Sequence, residues 1–282
     1  MFKLLQNNKP PSIMNKRLFV FIVPFLMACQ TKVKLPEIEM VTIKGGEFVF
    51  NCQYNDTSKC KSDLIKAYIK HMDDFQISKY EVTVAQFKAF IDATGYRTTA
   101  EKRGYSYYWK KIEGTDSKVS EKGKGLNWRY DENNELRKDS DYNKPVIHVS
   151  WIDCNKFCKW ISKRTGLKYK VPSFEQWEYA ARGGQLTKNF LYSGSDIKNE
   201  IAWNYYNSDM QIHDVGQLSP NEVGIYDMNG NVWEWTTLKD SNKAQRVRGG
   251  SFLGSNMDIL IDYDDREISY SISNNGFRVV IE

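Results

Sequence analysis

A chain of 282 residues with 41% hydrophobic and 27% charged content can bury one substantial core or two small ones, and this balance excludes a disordered or wholly membrane-embedded protein. The formal charge of +5 comes from 40 basic and 35 acidic residues that are well mixed, without the concentrated basic stripe that a nucleic-acid partner requires. Aromatic content of 14%, with 8 Trp and 17 Tyr, points to a loop-rich fold in which large rings fill space between irregular segments or stack on a ligand.

Asn15-Lys16-Arg17, the apolar run over residues 18–28 broken by Pro24, and the sequence Leu26-Met27-Ala28-Cys29 together predict a signal peptide over residues 1–28. The run is too short to span a bilayer as a helix. Leu-Met-Ala-Cys resembles the bacterial lipobox, which makes Cys29 the lipidated residue, Met14 the expected start and residues 29–37 a lipid-anchored tether ahead of a domain over 38–282. Gln30 in place of aspartate favours the outer membrane. The competing expectation is a cleaved secretory protein in which Cys29 is structural. Export places the remaining cysteines in an oxidising compartment, where a disulfide between Cys52 and Cys60 would staple the polar segment between them.

Val41-Thr42-Ile43 and Phe48-Val49-Phe50 read as two strands around Gly45-Gly46, and residues 74–78 as a third. Thr83 can cap a helix with Val84, Phe87, Phe90 and Ile91 on one stripe, stopped by Gly95. Residues 96–143 read as a long irregular segment rich in rings, a length that is functional or an ordered insertion. Residues 145–149 form an apolar run with strand character. Ser150-x-x-Asp153 then opens a helix that carries Trp151, Cys154, Phe157, Cys158 and Ile161 and ends at Gly166. Cys154 and Cys158 share one helical face, a spacing that suits a disulfide poorly; buried small hydrophobes are the common outcome and a soft metal the alternative. Ser173-x-x-Gln176 opens a third helix closed by Gly183-Gly184, and residues 248–252 and 276–279 read as closing strands. There is no internal repeat and no linker after residue 36, which is the pattern of one domain.

Residues 220–235 concentrate chemistry. Gly224 and Gly230 permit tight turns, and four side chains between Asp227 and Glu234 can offer oxygen ligands, the ingredients of a calcium cage. Asp227-x-Asn229-x-Asn231 copies the start of an EF-hand, but the glycine and glutamate expected at its sixth and twelfth positions are Val232 and Leu238. On local chemistry a calcium site and a plain Asx turn with Trp233 and Trp235 in the core stand level.

The ordered motifs Tyr80-Glu81-Val82-Thr83, Thr94-Gly95-Tyr96, Asn127-Trp128-Arg129, Pro145-Val146-Ile147-His148-Val149-Ser150-Trp151, Trp177-Glu178-Tyr179-Ala180-Ala181-Arg182-Gly183-Gly184, Gly230-Asn231-Val232-Trp233-Glu234-Trp235, Arg248-Gly249-Gly250-Ser251 and Gly276-Phe277-Arg278 resemble the formylglycine-generating enzyme family, the sulfatase-modifying factors. The resemblance runs from about residue 38 to the C-terminus. It implies a single irregular α+β domain related to the C-type-lectin fold. It also implies a structural calcium held by the side chains of Asp227 and Glu234 and the carbonyls of Gly230 and Val232.

Authentic members of that family oxidise a sulfatase cysteine to formylglycine with molecular oxygen and a copper(I) ion on two cysteines. The matching positions here are Gly254 and Ile259, and no cysteine follows Cys158. Copper(I) needs soft ligands, and the nearby Met257 offers a single thioether, so copper chemistry is expected to be lost. Other relatives carry non-haem iron, but His71, His148 and His213 are widely separated in sequence. A structural role fits His148 best.

These features favour a non-catalytic lipoprotein that binds a protein or peptide partner or acts structurally at the cell envelope. In that reading Tyr108, Trp109, Trp128 and Tyr130, with residues 262–267, line the face that grips a peptide in the enzymes. The alternative is an oxygen-dependent metalloenzyme of the formylglycine-generating or non-haem iron type with relocated ligands. Glycan binding, by analogy with lectins, is a third reading that rests on fold alone.

Overall fold

The computed structural model describes residues 37–51, 67–115, 117–239, 241–255 and 263–282. The expected signal peptide, the lipidated Cys29, the Cys52–Cys60 pair, Met257, Ile259 and Asp262 lie outside the described residues.

Four helices start where a hydroxyl cap meets a carboxylate or amide three residues on. They are α1 (Val84–Thr94), α2 (Thr99–Arg103), α3 (Trp151–Thr165) and α4 (Phe174–Ala181). Thr83, Thr98, Ser150 and Ser173 each accept the N–H of Gln86, Glu101, Asp153 or Gln176, and those side chains return to the cap's own N–H. This reciprocal box satisfies two orphan donors at each helix start. Gly95 and Gly166 end α1 and α3 in the left-handed region, at φ 63° and 79°.

The strands are short: β1 (Met40–Ile43), β2 (Gly46–Phe50), β3 (Tyr68–Met72), β4 (Phe75–Ser78), β5 (Tyr105–Lys111), β6 (Lys118–Lys124), β7 (Tyr169–Lys170), β8 (Ala202–Trp203), β9 (Asn229–Gly230), β10 (Trp233–Thr236), β11 (Ala244–Arg248), β12 (Tyr263–Glu267), β13 (Asn275–Gly276) and β14 (Val280–Ile281). One sheet runs β1-β4-β14-β7 and another β12-β11-β10-β13, while β2-β3, β5-β6 and β8-β9 pair separately. The result is an α+β architecture of few helices and short strands. All described residues fall in one compact unit. Among them no helix is long and apolar enough to cross a membrane.

Two apolar clusters hold these elements together. The first joins α1 and α3 through Phe87 and Phe157, 6.1 Å apart and stacked, to Trp128, Trp235 and Phe277. The second packs Ile43, Phe48 and Phe50 against Trp177 and Tyr179 of α4. Burying such side chains contributes about 1.5–3 kcal/mol each, which is how a chain with so little regular structure can fold.

Several expectations are corrected. Residues 96–143 are not irregular throughout: they contain α2 and the β5–β6 hairpin, paired from Tyr105↔Lys124 to Lys111↔Lys118. The apolar run 145–149 is not a ladder strand. Its N–H groups go to scattered acceptors, Val146 to the carbonyl of Val82 and His148 to that of Ile272. β1 and β2 flank the glycine turn as expected, yet they join different sheets. The closing strands are shifted, to Ala244–Arg248, Asn275–Gly276 and Val280–Ile281.

Candidate functional site

The turn over 220–235 is built by its own polar side chains. Asn221 Oδ1 accepts the N–H groups of Val223 and Ile225, and its Nδ2 donates to the carbonyl of Ala180 at 2.8 Å, tying the turn to α4. Gly230 has φ +79°, and a Cβ there would stand 2.1 Å from the carbonyl oxygen of Trp203. No other residue fits that approach.

Beneath the turn lies a buried charged centre. Glu234 accepts from Arg278 Nε at 2.6 Å and Nη2 at 2.7 Å, and from Trp177 Nε1 at 2.8 Å. Arg278 also donates to the carbonyls of Ser78 and Tyr226. Asp227 Oδ2 accepts the N–H of Gly216 at 2.7 Å. Glu81, 1% exposed, accepts from Asn231 Nδ2 at Oε1. Burial, followed by the charges of Asp227 and Glu234, pushes the Glu81 carboxyl well above the usual range. Burial likewise pushes Asp227 up to about 6, against the opposing bond from Gly216. For Arg278 burial works against the charge, but Glu234, Glu81 and Asp227 outweigh it and hold the guanidinium above its ordinary value.

Three carboxylates thus share one guanidinium. That surplus of hard oxygen is the donor chemistry a calcium ion takes. Glu234 could serve an ion only through lone pairs left by Arg278 and Trp177, and the Glu81 carboxyl is hydrogen-bonded to Asp227. Among the described residues no three His, Cys, Asp or Glu side chains cluster closely enough to hold a metal alone. Backbone carbonyls would have to complete any shell.

A second buried centre lies close by. Glu178 faces Arg248 at 3.3 Å and Arg182 at 3.7 Å, and the Arg248 guanidinium sits 5.3 Å over the Trp177 ring. Trp177 therefore links the two centres, donating to Glu234 while lying under Arg248.

The aromatic candidates separate. Trp128 is 4% exposed with its ring edge-on to Phe87 at 5.7 Å, which makes it part of the core and not of a surface. Tyr130 is half-buried in a bridge to Leu136. Tyr108 donates from its hydroxyl to Glu121 across the hairpin at 2.9 Å. Trp109 reaches a small cavity of about 150 Å³, which it lines with Trp233, Ser251, Leu253, Gly254 and Asn274. In β12, Asp264 and Asp265 are bound to Arg266 and Arg246. Arg266 also lies 5.8 Å over Trp233, so this strand borders the same cavity.

Gly254, the first position where copper cysteines stand in the enzymes, is thus in the cavity wall. Cys154 and Cys158 are elsewhere, buried in the α3 core, where burial pushes both thiols up and away from the reactive thiolate form. His148 is buried, contacts Ser106 Oγ through Nδ1 at 2.8 Å, and is pushed down to about 3 by burial and then by the Arg137 charge. It is a neutral interior histidine.

Sequence reasoning missed Glu81, Arg278, Trp233 and Asn274 as site residues. Glu81 sits two residues before the Thr83 cap, between Tyr80 and Val82. Nothing local marks Asn274.

Comparison with known proteins fits this geometry. A family model of the sulfatase-modifying factor enzyme 1-like domain matches residues 27–282. The chain belongs to this family. It is 30% identical over 226 residues to the formylglycine-generating enzyme of Bos taurus, covering 72% of this chain and 58% of that protein. The chain therefore spans little more than half the length of that enzyme. It is 27% identical over 245 residues to the inactive C-alpha-formylglycine-generating enzyme 2 of Bos taurus, covering 77% of each. It is 26% identical over 292 aligned positions to the chaperone protein LppX of Paenibacillus barcinonensis, covering 93% of this chain and 96% of that one. In three dimensions it matches PvdO from Pseudomonas aeruginosa with a TM-score of 0.65 at 22% identity, over 86% and 94% of the two chains, a likeness of fold.

Proposed function

We propose that this chain is a non-catalytic member of the family that binds a protein or peptide partner at the cell envelope, anchored through a lipid on Cys29 and stiffened by a structural calcium. The observation that carries the reading is Gly254: the cavity wall is intact but has no soft ligand there, and the cysteines within the described residues are buried in α3. A relative described as inactive and one described as a chaperone support the same direction. Asp227, Gly230, Val232 and Glu234 would hold the calcium, with Glu81 as a neighbouring oxygen. Its charge would neutralise the surplus carboxylates and free the centre from taking up protons.

Metal analysis of purified, dialysed protein tests the proposal together with an assay for formylglycine on a sulfatase peptide incubated with oxygen and copper. Calcium alone and unmodified peptide are the expected results. Stoichiometric copper or iron, or any formylglycine, would overturn the non-catalytic reading.

A further inference from the structure

We propose that the cavity between the 37–39 segment and the start of α1 is a site for an alkyl ammonium, the chemistry shared by a lysine side chain and a free polyamine. It has no lining residue in common with the Trp109 cavity, so the site goes beyond the partner-binding reading and stands apart from it. Its volume of about 500 Å³ is that of a small-ligand site, and Ile38 and Val215 give it apolar wall for a methylene stem.

The charge of this cavity is opposite to that of the chain. The chain carries +5, yet the described residues that line the cavity include Glu37, Glu39 and Glu81 and no lysine, arginine or histidine. The lysines that adjoin its walls are matched: Lys79 to Glu39 at 3.1 Å, Lys144 to Asp141 at 3.2 Å and Lys88 to Asp92. Among the described residues Glu37 has no ion-pair partner. Glu81 is 1% exposed and engaged by Asp227, so it shapes the wall and offers no contact. An entering ammonium therefore meets the Glu37 carboxylate and the half-buried rings of Tyr80 and Tyr142.

The same wall already shows how it takes an ammonium. Lys79 Nζ, held by Glu39, lies 5.3 Å from the centre of the Tyr80 ring and 5.7 Å from that of Tyr226, a clasp of one carboxylate and two tyrosines. Glu37 and Tyr142 bring the same residue types to the cavity, and no cation among the described residues lies over the Tyr142 ring. The walls are also fixed before a guest arrives. Gln86 Nε2 donates to the Glu37 carbonyl at 2.8 Å, the Lys79 N–H to that of Glu39 at 2.8 Å, and the Ala85 N–H to that of Tyr142 at 3.0 Å. Binding then orders little more than the guest itself, which favours even a small ligand.

Calorimetric titration of the full-length chain tests this with spermidine and with three N-acetylated, C-amidated glycine pentapeptides whose central residue is Lys, norleucine or Glu. The lysine peptide or spermidine should bind at least about tenfold tighter than the norleucine and glutamate peptides, and added salt should weaken that binding. Which of the two binds assigns the source, a protein side chain or a free polyamine. Glu37→Gln and Tyr142→Leu should each weaken it by about two- to fivefold, the scale of one exposed ion pair and of one cation–π contact. Glu37 is exposed, so its variant serves should Tyr142→Leu fail to fold. Silence from both the lysine peptide and spermidine, binding that ignores the central residue, or binding that the folded variants leave unchanged overturns the site. Binding that appears only once Lys32 and Lys34 are replaced by alanine makes the chain's own leader the occupant, and the external guest falls. None of these readouts depends on the β5–β6 hairpin, so failure here leaves the partner-binding reading standing.

Discussion

In the centre beneath the 220–235 turn, Arg278 is fully buried and its guanidinium is held by Glu234 and two backbone carbonyls. On the β5–β6 face, Lys118 lies 4.5 Å over Tyr205 and Lys122 5.0 Å over Tyr105. The same ingredients, rings and cations, act differently because of water. Desolvated charges must find partners or fail, so the centre fixes the fold and tolerates no vacancy. Half-solvated pairs are worth about 0.5–1 kcal/mol each and can exchange a protein partner for a ligand. Stability is therefore concentrated in the first region, and the proposed partner binding would draw on the second.

The sharpest way to break that division is Arg278→Met, which leaves Glu234 buried and unpaired. A loss of about 3–5 kcal/mol is expected, read as failure to express in soluble form or as a collapsed thermal transition. Next in size, chelation should lower the melting temperature by about 5–10 °C, equivalent to roughly 2–3 kcal/mol in a chain of this length, and added calcium should restore it. No response to chelator would return the turn to an ordinary Asx turn.

A smaller effect belongs to His148. Its folded value, about 3, lies below the ordinary 6.5, so the unfolded chain binds the extra proton between those limits. Its contribution to stability is present above pH 6.5 and is lost as pH falls toward 3. Thermal melts of wild type and His148→Asn across that range should differ in slope, the variant being flatter. The smallest expected change in stability is for Tyr108→Ala, which removes a cross-strand contact worth about 0.2–1 kcal/mol. Recovery of an envelope partner by affinity capture should nevertheless be lost. A large drop in melting temperature would show that the face is structural after all.

Much of the scaffold was legible in local chemistry. The caps at Thr83, Ser150 and Ser173 announce three helices because a hydroxyl and its partner three residues on act within one turn. The β5–β6 hairpin was missed although Tyr105, Tyr107 and Trp109 alternate. Its second strand is lysine-rich, and the pairing is supported by Tyr108–Glu121 and by the bridge from Tyr107 to Ile272, a residue far along the chain. Residues 145–149 misled for the opposite reason: an apolar run signals burial, not ladder pairing. The ion pair of Glu234 with Arg278 and the contact of Glu81 with Asp227 come from elements remote in sequence, and the burial of Trp128 against Phe87 could not be told from an exposed stacking ring.

The placement of β14 has a consequence for biogenesis. It lies between β4 and β7, pairing Val280 with Ile77 on one side and with Lys170 on the other, and Arg278 just before it anchors Glu234. Until residue 281 has emerged, β4 and β7 have no strand between them and the buried carboxylate has no counter-ion. A growing chain is thus held short of its native state until residues 278–281 have emerged.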